Sequence, residues 1–491
     1  MELGSILQFL ENSCILVTGA TGFLAKIFIE KILRVQPNVK KFYVLLRAQD
    51  TNSAMLRFNH EVISKDLFRV LKGNCGEKFN SFLSQKVKVV AGDITFENLG
   101  VKDSNLLEEM WKEIDIVVNS AATTNFDERY DASFKINTLG ALHVLNFSKK
   151  CAKLKVLLHV STAYVCGEKG GLIMETPYKM GEALNGTPGL DIYSEKKLME
   201  DTLKQLGAQN YSRDDVKSAM KDFGIQRARK FGWPNTYVFT KVMGEMMLGE
   251  LKENVPLVII RPTIITSTYK EPFPGWAEGV RTIDSLAVGY GKGKLTCFTG
   301  DPKSIVDVIP ADMVINAMIV AMAANANQPN ESIYHVGSSV SNPLELKWFQ
   351  EYGHLYFSRN PWIDKDGKPI IVGKVTMFDT MDSFQRYMAL HYLLPLKGLE
   401  ILNTACCRYF DNMYVELCRK IKYVMRLVDL YVPYLFFKGY FDDLNTEKLR
   451  REAKESGVVE AEMFYFDPKE IKWDEYFMNI HMPGAVKYVF K

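Results

Sequence analysis

Two residues of this 491-residue chain, Tyr237 and Lys241, have the types and the spacing needed to give a proton to a carbonyl oxygen. Residues four positions apart lie on one face of a helix. A nearby ammonium lowers the pKa of a phenol, which makes the phenol a better general acid. The spacing alone indicates little, because it recurs at four other tyrosines, namely Tyr193, Tyr290, Tyr434 and Tyr465.

The surroundings of the five tyrosines favour Tyr237. Tyr290 lies in a glycine-rich stretch, and a proline interrupts the pair that begins at Tyr465. Tyr434 comes long after the alternating pattern of strands and helices has ended, and Tyr193 begins a polar helical stretch that no strand follows. These features predict that none of the other four tyrosines serves as the proton donor.

The Tyr237 pair lies on a helical pattern, residues 235–248, that leads directly into the apolar run 257–262. An earlier apolar run ends in Ser161 and Thr162. We expect the hydroxyl of Thr162 to orient a substrate carbonyl, with Ser161 as the alternative. In the competing interpretation, Tyr237 only packs one side of an amphipathic helix.

A tight turn between a strand and a helix occupies residues 14–25. Gly19 permits the sharp turn, Gly22 lets the backbone approach a pyrophosphate, and Ala25 keeps the helix close to the strand. The phosphates would lie at the helix N-terminus, where backbone N–H groups and the helix dipole favour negative charge. The alternative is an ordinary strand–helix turn with two glycines. The predicted contacts to a dinucleotide are Thr18, Gly19, Ala20, Thr21, Gly22, Phe23 and Leu24.

The end of the second strand indicates which dinucleotide is bound. An acidic residue there would bind the ribose hydroxyls of NAD, whereas Arg47 suits the 2′-phosphate of NADPH. NADPH is therefore predicted, although Asp50 lies close to Arg47 in the sequence. Lys241 can also hold the nicotinamide ribose. The residues expected to flank the adenine or to line the crevice toward the nicotinamide are Asp93, Ile94, Asn119, Ala121, Pro262, Thr263 and Ile264. Each of these could instead have a turn or packing role.

Apolar strands alternate with helices from residue 14 to about residue 262, a pattern typical of a parallel sheet covered on both faces. The sequence therefore predicts an α/β protein with a doubly wound Rossmann sheet. Residues 166–235 are polar and interrupt the pattern as an insertion, and residues 271–310 read as a glycine- and proline-rich loop, either mobile on the substrate side or merely connecting. We predict a reductase domain over 1–385 and a smaller, mainly helical domain over 386–491.

Composition excludes several classes of protein. The net charge is +3 without a dense basic block, which gives no reason to expect a nucleic-acid partner. The eight cysteines are scattered and the histidines form no ligand pattern, so we predict reduced thiols and no metal site.

The start of the chain leaves no room for a signal or transit peptide, and no apolar run reaches the roughly 20 residues of a membrane-spanning helix. The stretch 418–438 mixes aromatic, apolar and basic residues, which suits a helix lying at a membrane surface. Pro433 is expected to break this helix, and a buried core is the alternative interpretation. The sequence does not indicate the oligomeric state.

Several motifs give the chain a family resemblance. The cofactor turn, the segment 159–165, the Tyr237 pair and the loop 271–276 resemble an extended short-chain dehydrogenase. More narrowly, the chain from the first strand to Phe490 resembles the alcohol-forming fatty acyl-CoA reductases of plants, including the segments 119–130 and 466–469. The long gap between Thr162 and Tyr237 departs from ordinary short-chain dehydrogenases and agrees with this family. The sequence begins without a plastid-type extension, so we expect the plastid members of the family to be a poor guide.

The resemblance implies reduction of a long-chain acyl-CoA to a primary alcohol and free CoA with two NADPH. It also implies a catalytic pair at Tyr237 and Lys241 and a C-terminal helical domain sometimes named after male sterility. The expected location is the cytosolic face of the endoplasmic reticulum by peripheral contact, with the cytoplasm as the alternative. Another oxidoreductase of the same fold (aldehyde-forming, sterol or sugar-nucleotide) stays open, as does a non-catalytic dinucleotide sensor.

Overall fold

A parallel sheet organises the protein, whose computed structural model describes residues 4–209, 211–280, 282–455 and 457–490. Seven of the described strands form this sheet in the order β3-β2-β1-β4-β5-β7-β11, every neighbouring pair being parallel. Val17 of β1 is in register with Val44 of β2 and with Val118 of β4. The described strands are β1 (Cys14–Thr18), β2 (Lys41–Leu46), β3 (Val87–Ala91), β4 (Ile116–Asn119), β5 (Val156–Val160), β6 (Gly171–Ile173), β7 (Leu257–Pro262), β8 (Ile264–Thr266), β9 (Cys297–Thr299), β10 (Val308–Pro310), β11 (Glu331–Val336), β12 (Thr376–Phe378) and β13 (Gly439–Phe441).

Helices cover both faces of the sheet, which confirms the predicted doubly wound α/β fold. The described α-helices are α1 (Ile6–Leu10), α2 (Phe23–Val35), α3 (Thr51–Phe58), α4 (Arg69–Cys75), α5 (Phe79–Lys86), α6 (Ser104–Glu113), α7 (Tyr130–Ser133), α8 (Gly140–Ser148), α9 (Ile192–Ala208), α10 (Arg213–Lys230), α11 (Thr236–Leu251), α12 (Thr282–Gly291), α13 (Ala311–Ala324), α14 (Leu346–Arg359), α15 (Met381–Met388), α16 (Leu394–Ala405), α17 (Asp411–Leu435), α18 (Leu444–Glu455), α19 (Val458–Met463), α20 (Trp473–Tyr476) and α21 (Met482–Tyr488). None of the described helices combines the length and the apolar character needed to cross a membrane.

The two faces of the sheet carry separate cores. On one face, α2 and α13 pack together, and α13 is buried on all sides because nearly every residue in it is apolar. On the other face, α8 packs against β4, β5 and α11. Strand order reverses between β1 and β4, so the crevice beyond their carboxyl ends is the expected ligand site of such a sheet.

Some boundaries differ from the sequence prediction. The sequence predicted alternating strands and helices only as far as residue 262, so β11, the seventh strand of the sheet, was missed. The loop predicted at 271–310 contains the helix α12, so the placement of Tyr290 in a loop was wrong. Glycines hide this helix in the sequence, but the fold stabilises it because its apolar side chains enter the core and the Tyr290 hydroxyl lies 2.9 Å from His354 Nδ1.

The C-terminal region is mainly helical, as predicted, and it returns to the nucleotide-binding core. Leu449, Phe466 and Trp473 belong to the same buried cluster as residues of β1 and β7. Strand β13 pairs with β6 of the segment predicted as an insertion, which lies outside the seven-stranded sheet. The boundary at residues 385 and 386 therefore stays a prediction.

Pro433 does not break helix α17, contrary to the prediction from the sequence. The helix runs through this proline and ends two residues later, at Leu435. A proline so close to a helix C-terminus removes one backbone hydrogen bond without having to turn the chain. Each interpretation of the stretch 418–438 fits one part of it. The first residues are largely exposed, as a helix at a membrane surface requires, whereas Leu430, Leu435 and Phe437 are buried, as in a core.

Candidate active site

The turn between β1 and α2 lies at the crevice where the strand order reverses. Gly19 has a φ of +69°, and a Cβ there would lie 2.6 Å from the Cα of Ala121. Any larger residue would therefore push the turn away from β4. The hydroxyl of Thr18 fixes the same junction, since it donates to Asn119 Oδ1 at 2.7 Å and accepts from the Ala121 N–H at 3.2 Å.

The N-terminus of α2 fits a phosphate group. The residue that precedes the helix is the exposed Gly22, which has no side chain to cap the end, and the first turn carries no acidic residue. Backbone N–H groups and the dipole of this 13-residue helix thus face the crevice. Thr21 is half-buried at the rim, whereas Ala20, Phe23 and Leu24 are buried beneath it.

A segment distant in sequence, residues 268–278, is fastened to the same helix. Trp276 stacks on Phe23 with ring centroids 5.1 Å apart, and Lys26 pairs with Glu278. Lys31 and Arg34 both pair with Glu271, the latter at 2.8 Å. The start of the predicted 271–310 loop is therefore held against the cofactor helix.

The residues after β2 are those predicted to select between the two dinucleotides. Arg47 is exposed directly after the strand, and its carbonyl accepts from the guanidinium of Arg57. Asp50 caps α3 by accepting from the Ser53 N–H at 2.7 Å, and this bond lowers the pKa of Asp50. The Asp50 carboxylate, whose place in the sequence argued against NADPH, therefore caps a helix. The Arg47 side chain is exposed to solvent.

The predicted adenine residues differ in accessibility. Asp93 is half-buried, and its carboxylate accepts from the Thr95 N–H at 2.9 Å. Ile94 is buried against α8, where a Cβ on Gly140 would lie 2.6 Å from its side chain. Asp93 therefore keeps a partly accessible side chain after β3, and Ile94 has a packing contact.

Tyr237 projects from the first turn of α11 into a cavity of about 430 Å³. Asn235 begins this helix by accepting from the Val238 N–H, and the Tyr237 ring stacks on Phe126 at 5.6 Å. Thr162, Thr263 and Ile264 line the same cavity. Ala121 is half-buried at the end of β4, and Pro262 is buried within β7.

Ser161, the alternative to Thr162, is placed differently. Its hydroxyl is buried and has no hydrogen-bond partner within the described part of the chain, and Ser161 is not among the residues that line the cavity. The geometry therefore favours Thr162 as the hydroxyl beside Tyr237.

Lys241 lies one turn further along α11 and is completely buried. Its ammonium donates to the carbonyl of Val160 at 2.7 Å and to Nε2 of His159 at 3.1 Å. Burial lowers the pKa of Lys241 to about 8, and the nearby carboxylate of Glu245 opposes this shift. Burial and the adjacent ammonium lower the pKa of His159 well below its usual range, so this imidazole is neutral.

A chain of polar contacts connects this lysine with the cofactor turn. The amide of Asn119 lies 3.0 Å from His159 Nδ1 and also binds the hydroxyl of Thr18. Asn119 was predicted to line the crevice. It is buried instead, and it connects the cofactor turn with the contacts of Lys241. His159 was missed as a site residue, although it stands two positions before Ser161 at the end of β5.

Asn137 was also missed. It lies in a π-helical segment, Phe134–Leu139. Its side-chain amide accepts a hydrogen bond from the Thr123 N–H at 3.0 Å and donates one to the Thr123 carbonyl at 3.1 Å. It also donates to the Thr240 hydroxyl at 3.0 Å. The loop that lines the cavity beside Phe126 is thereby fixed to α11. A π-helical turn has no clear sequence signal, although such turns are frequent at functional sites.

The structure places Tyr434 in the site, although its position in the sequence suggested that it lies elsewhere. Although it is distant in the sequence, it lines the same cavity as Tyr237, stacks on Phe126 at 5.2 Å and accepts from the Asn235 amide at 2.8 Å. Burial raises the pKa of Tyr434, and its partner in the motif, Lys438, is exposed. The remaining three tyrosines lie elsewhere: Tyr193 is exposed, and the hydroxyls of Tyr290 and Tyr465 bind backbone carbonyls.

Comparisons with known proteins show the family of the chain. Residues 17–318 match a family of NAD-binding domains described as male sterility protein, and residues 391–491 match a second family with the same description. The chain is 60% identical to an alcohol-forming fatty acyl-CoA reductase of Simmondsia chinensis, over 99% of each chain. It is 54% identical to fatty acyl-CoA reductase 1 of Arabidopsis thaliana, also over 99% of each chain.

A solved structure supports the fold. The reductase domain of a nonribosomal peptide synthetase from Mycobacterium tuberculosis superposes with a TM-score of 0.54 at 17% identity, over 92% of this chain and 89% of that one. Together with the NAD-binding family match, the glycine turn shows a site for a nicotinamide dinucleotide.

Proposed function

The chain belongs to the fatty acyl-CoA reductase family, and we propose on that premise that this oxidoreductase converts a long-chain acyl-CoA into a primary alcohol and free CoA at the expense of two NADPH. The observation that carries the proposal is the common cavity of Tyr237 and Thr162, with Lys241 buried behind it. This arrangement supports a role for Tyr237 and Thr162 as hydrogen-bond donors to a carbonyl oxygen in the crevice.

The preference for NADPH is supported by the end of β2. Arg47 is exposed there, while the nearby acidic side chain is used to cap α3. A guanidinium binds a 2′-phosphate through charge-assisted hydrogen bonds, which a 2′-hydroxyl cannot match.

The residues of the cavity act on the substrate oxygen. A bound NADPH supplies a hydride to the carbonyl carbon. Hydrogen bonds from Tyr237 and Thr162 stabilise the negative charge that develops on the oxygen of the thioester. The resulting hemithioacetal releases CoA and leaves an aldehyde, and in its reduction Tyr237 acts as the general acid.

Lys241 assists Tyr237 by charge. Its ammonium would stabilise the negative charge that develops on the phenol oxygen as Tyr237 gives up its proton, and it also suits the hydroxyls of the nicotinamide ribose. An acyl-enzyme is not required, and Cys166, which follows Thr162 on the same turn, is a poor nucleophile because burial raises its pKa to about 12.

The lining of the cavity includes several apolar side chains, which supports an acyl chain as the occupant. These are Phe126, Ile265, Val280, Leu430 and the ring of Tyr431. Such a surface favours a hydrocarbon because burying it removes apolar area from water.

A substrate series tests this function. Purified protein is incubated with acyl-CoAs of increasing chain length and with NADPH or NADH, and the products are identified by mass spectrometry. We expect alcohols from the long chains, with NADPH as the better reductant. Aldehyde as the final product would assign the chain to the aldehyde-forming alternative, and reduction of sterols or sugar nucleotides instead of acyl-CoA would contradict the proposal.

We also propose that the protein works at the cytosolic face of the endoplasmic reticulum through peripheral contact, since its substrate and product both partition into lipid. Fractionation of tagged protein followed by a carbonate wash tests this location. Release by carbonate is expected. Recovery of all the protein in the soluble fraction would favour the cytoplasmic alternative.

A further inference from the structure

One part of the C-terminal region extends away from the core. The arm, as we name residues 389–424, comprises a π-helical turn, α16 and the first part of α17. Asn403 is its only buried residue among those whose side chains the structure describes. Its amide binds Asp411 and the Phe410 N–H, which fixes the turn between the two helices.

Apolar side chains of the arm are exposed on both helices. Tyr409 is 82% exposed and Ile401 72%, far more than side chains of these types are in a typical core. Exposed apolar side chains concentrated in one segment indicate a contact with a partner or with a membrane. The exposed apolar residues of the arm are Leu390, Tyr392, Leu393, Leu394, Ile401, Leu402, Tyr409, Met413, Val415, Leu417 and Val424.

Charge distinguishes a lipid surface from a protein partner. The arm carries five basic and three acidic residues, and all five of the basic residues are exposed. A mixture of apolar side chains, tyrosines and exposed cations suits the headgroup region of an anionic bilayer. The basic residues are Lys397, Arg408, Arg419, Lys420 and Lys422.

The arm is also continuous with the active site. Helix α17 spans 25 residues, which corresponds to about 37 Å. Its first part belongs to the arm, and near its other end Leu430, Tyr431 and Tyr434 line the cavity beside Tyr237. One rigid helix thus connects the exposed apolar surface with the reacting groups.

We propose that the arm docks on an anionic lipid bilayer, with the apolar side chains of α16 and of the start of α17 among the headgroups. This inference rests on the proposed function, because a long-chain substrate and alcohol reside in lipid and the cavity would then open near their reservoir. The contact is interfacial and does not cross the bilayer.

Flotation of the full-length protein with vesicles tests the docking. The vesicles contain phosphatidylcholine alone or with phosphatidylserine. The arm variant carries Ile401→Ser, Leu402→Ser and Tyr409→Ser, and a matched control carries Ile371→Ser, Leu444→Ser and Tyr211→Ser, which replace exposed residues of the same types outside the arm. We expect wild type and control to float with anionic vesicles and the arm variant to bind at least about tenfold less.

A charge variant and an activity assay complete the test. Arg419→Gln with Lys422→Gln should weaken binding to anionic vesicles and leave binding to neutral ones unchanged. Equal flotation of the arm variant and wild type would overturn the proposal, as would a wild-type dimer that the arm variant dissociates, since the arm would then bind a second copy. Alcohol formation from a long-chain acyl-CoA that is delivered on a carrier protein, without vesicles, is measured in parallel. Its absence from the wild type would refute the proposed function irrespective of the flotation result.

Discussion

The two halves of the active site are assembled in different ways. The cofactor half consists of a continuous turn, residues 18–24, which β1 and α2 hold in place. The substrate half brings together Phe126, Thr162, Tyr237 and Tyr434, which are separated by up to about 300 positions in the chain. The first half is a local structure, whereas the second depends on the packing of the whole molecule.

One line of polar contacts joins these halves. It runs from Thr18 through Asn119 and His159 to the ammonium of Lys241. Because every member is buried, a break in it leaves an unsatisfied polar group inside the protein. We expect residues outside this line to affect mainly turnover in the substrate half or mainly cofactor binding in the cofactor half, whereas Lys241 should affect both.

The largest expected effect is on Tyr237. Tyr237→Phe keeps the ring that stacks on Phe126 and removes the proton donor, so folding and NADPH binding should persist. Turnover should fall by the ~10²–10⁴-fold typical of the loss of a general acid. Steady-state kinetics with a long-chain acyl-CoA, together with fluorescence titration of NADPH, measure both quantities.

Two other tyrosines are controls for this change. Tyr193→Phe should leave the rate near that of wild type, because Tyr193 is exposed and far from the cavity lining. Tyr434→Phe removes only the acceptor for Asn235 and should reduce the rate by a few-fold at most, since a hydrogen bond of this kind contributes about 1 kcal/mol. If Tyr193→Phe or Tyr434→Phe abolished alcohol formation while Tyr237→Phe did not, the site would be assigned to the wrong tyrosine.

Substitution of Lys241 should change both turnover and cofactor binding. Lys241→Ala should reduce turnover as much as Tyr237→Phe and should also weaken NADPH binding. The pKa of about 8 predicts that kcat/KM declines as the pH rises through that value, because the ammonium loses its proton. Lys241→Arg keeps a cation at high pH, so any residual activity should lack this decline. A wild-type profile without a decline between about pH 7 and 10 would show that the ammonium is not needed.

His159 should have a smaller effect, exerted through Lys241. His159→Leu removes an acceptor from the buried ammonium, a loss of about 1–3 kcal/mol that corresponds to roughly tenfold or more in turnover. Because the charged form loses a hydrogen bond, the decline in the pH profile should move to lower pH. His159→Gln, which restores an acceptor, should recover part of the activity. A loss of thermal stability with an unchanged pH profile would indicate a purely structural role.

Arg47 tests the cofactor half alone. Arg47→Ala should raise the KM for NADPH about tenfold or more, because charge-assisted pairing contributes roughly 1.5–3 kcal/mol. The kinetics with NADH should change little, since that cofactor has no 2′-phosphate. Equal losses with both cofactors would mean that Arg47 supports the structure and does not select NADPH.

The difference between the halves also explains what the sequence could predict. The cofactor turn was predictable because Gly19 and Gly22 lie three positions apart in one continuous segment and the positive φ of Gly19 favours that residue type. Tyr237 and Lys241 were predictable because their helix leads directly to β7. Both inferences used only neighbouring residues.

The remaining parts of the site depend on contacts between distant segments. Tyr434 was excluded on sequence distance, yet the C-terminal region folds back and brings it to Phe126. His159 reads as one residue of an apolar strand, and only the position of α11 shows that it binds Lys241. Helix α12 was read as a loop because its glycines weaken the local signal, and tertiary packing overrides that preference.

The central claim is that one cavity carries out both reductions of an acyl-CoA. The most direct measurement uses NADPH with deuterium at the transferable position, an unlabelled long-chain acyl-CoA and the purified protein. The account predicts a primary alcohol with two deuterium atoms on its terminal carbon, one free CoA per alcohol, and loss of this product in Tyr237→Phe. An aldehyde with a single deuterium as the final product, or undiminished alcohol from Tyr237→Phe, would contradict it.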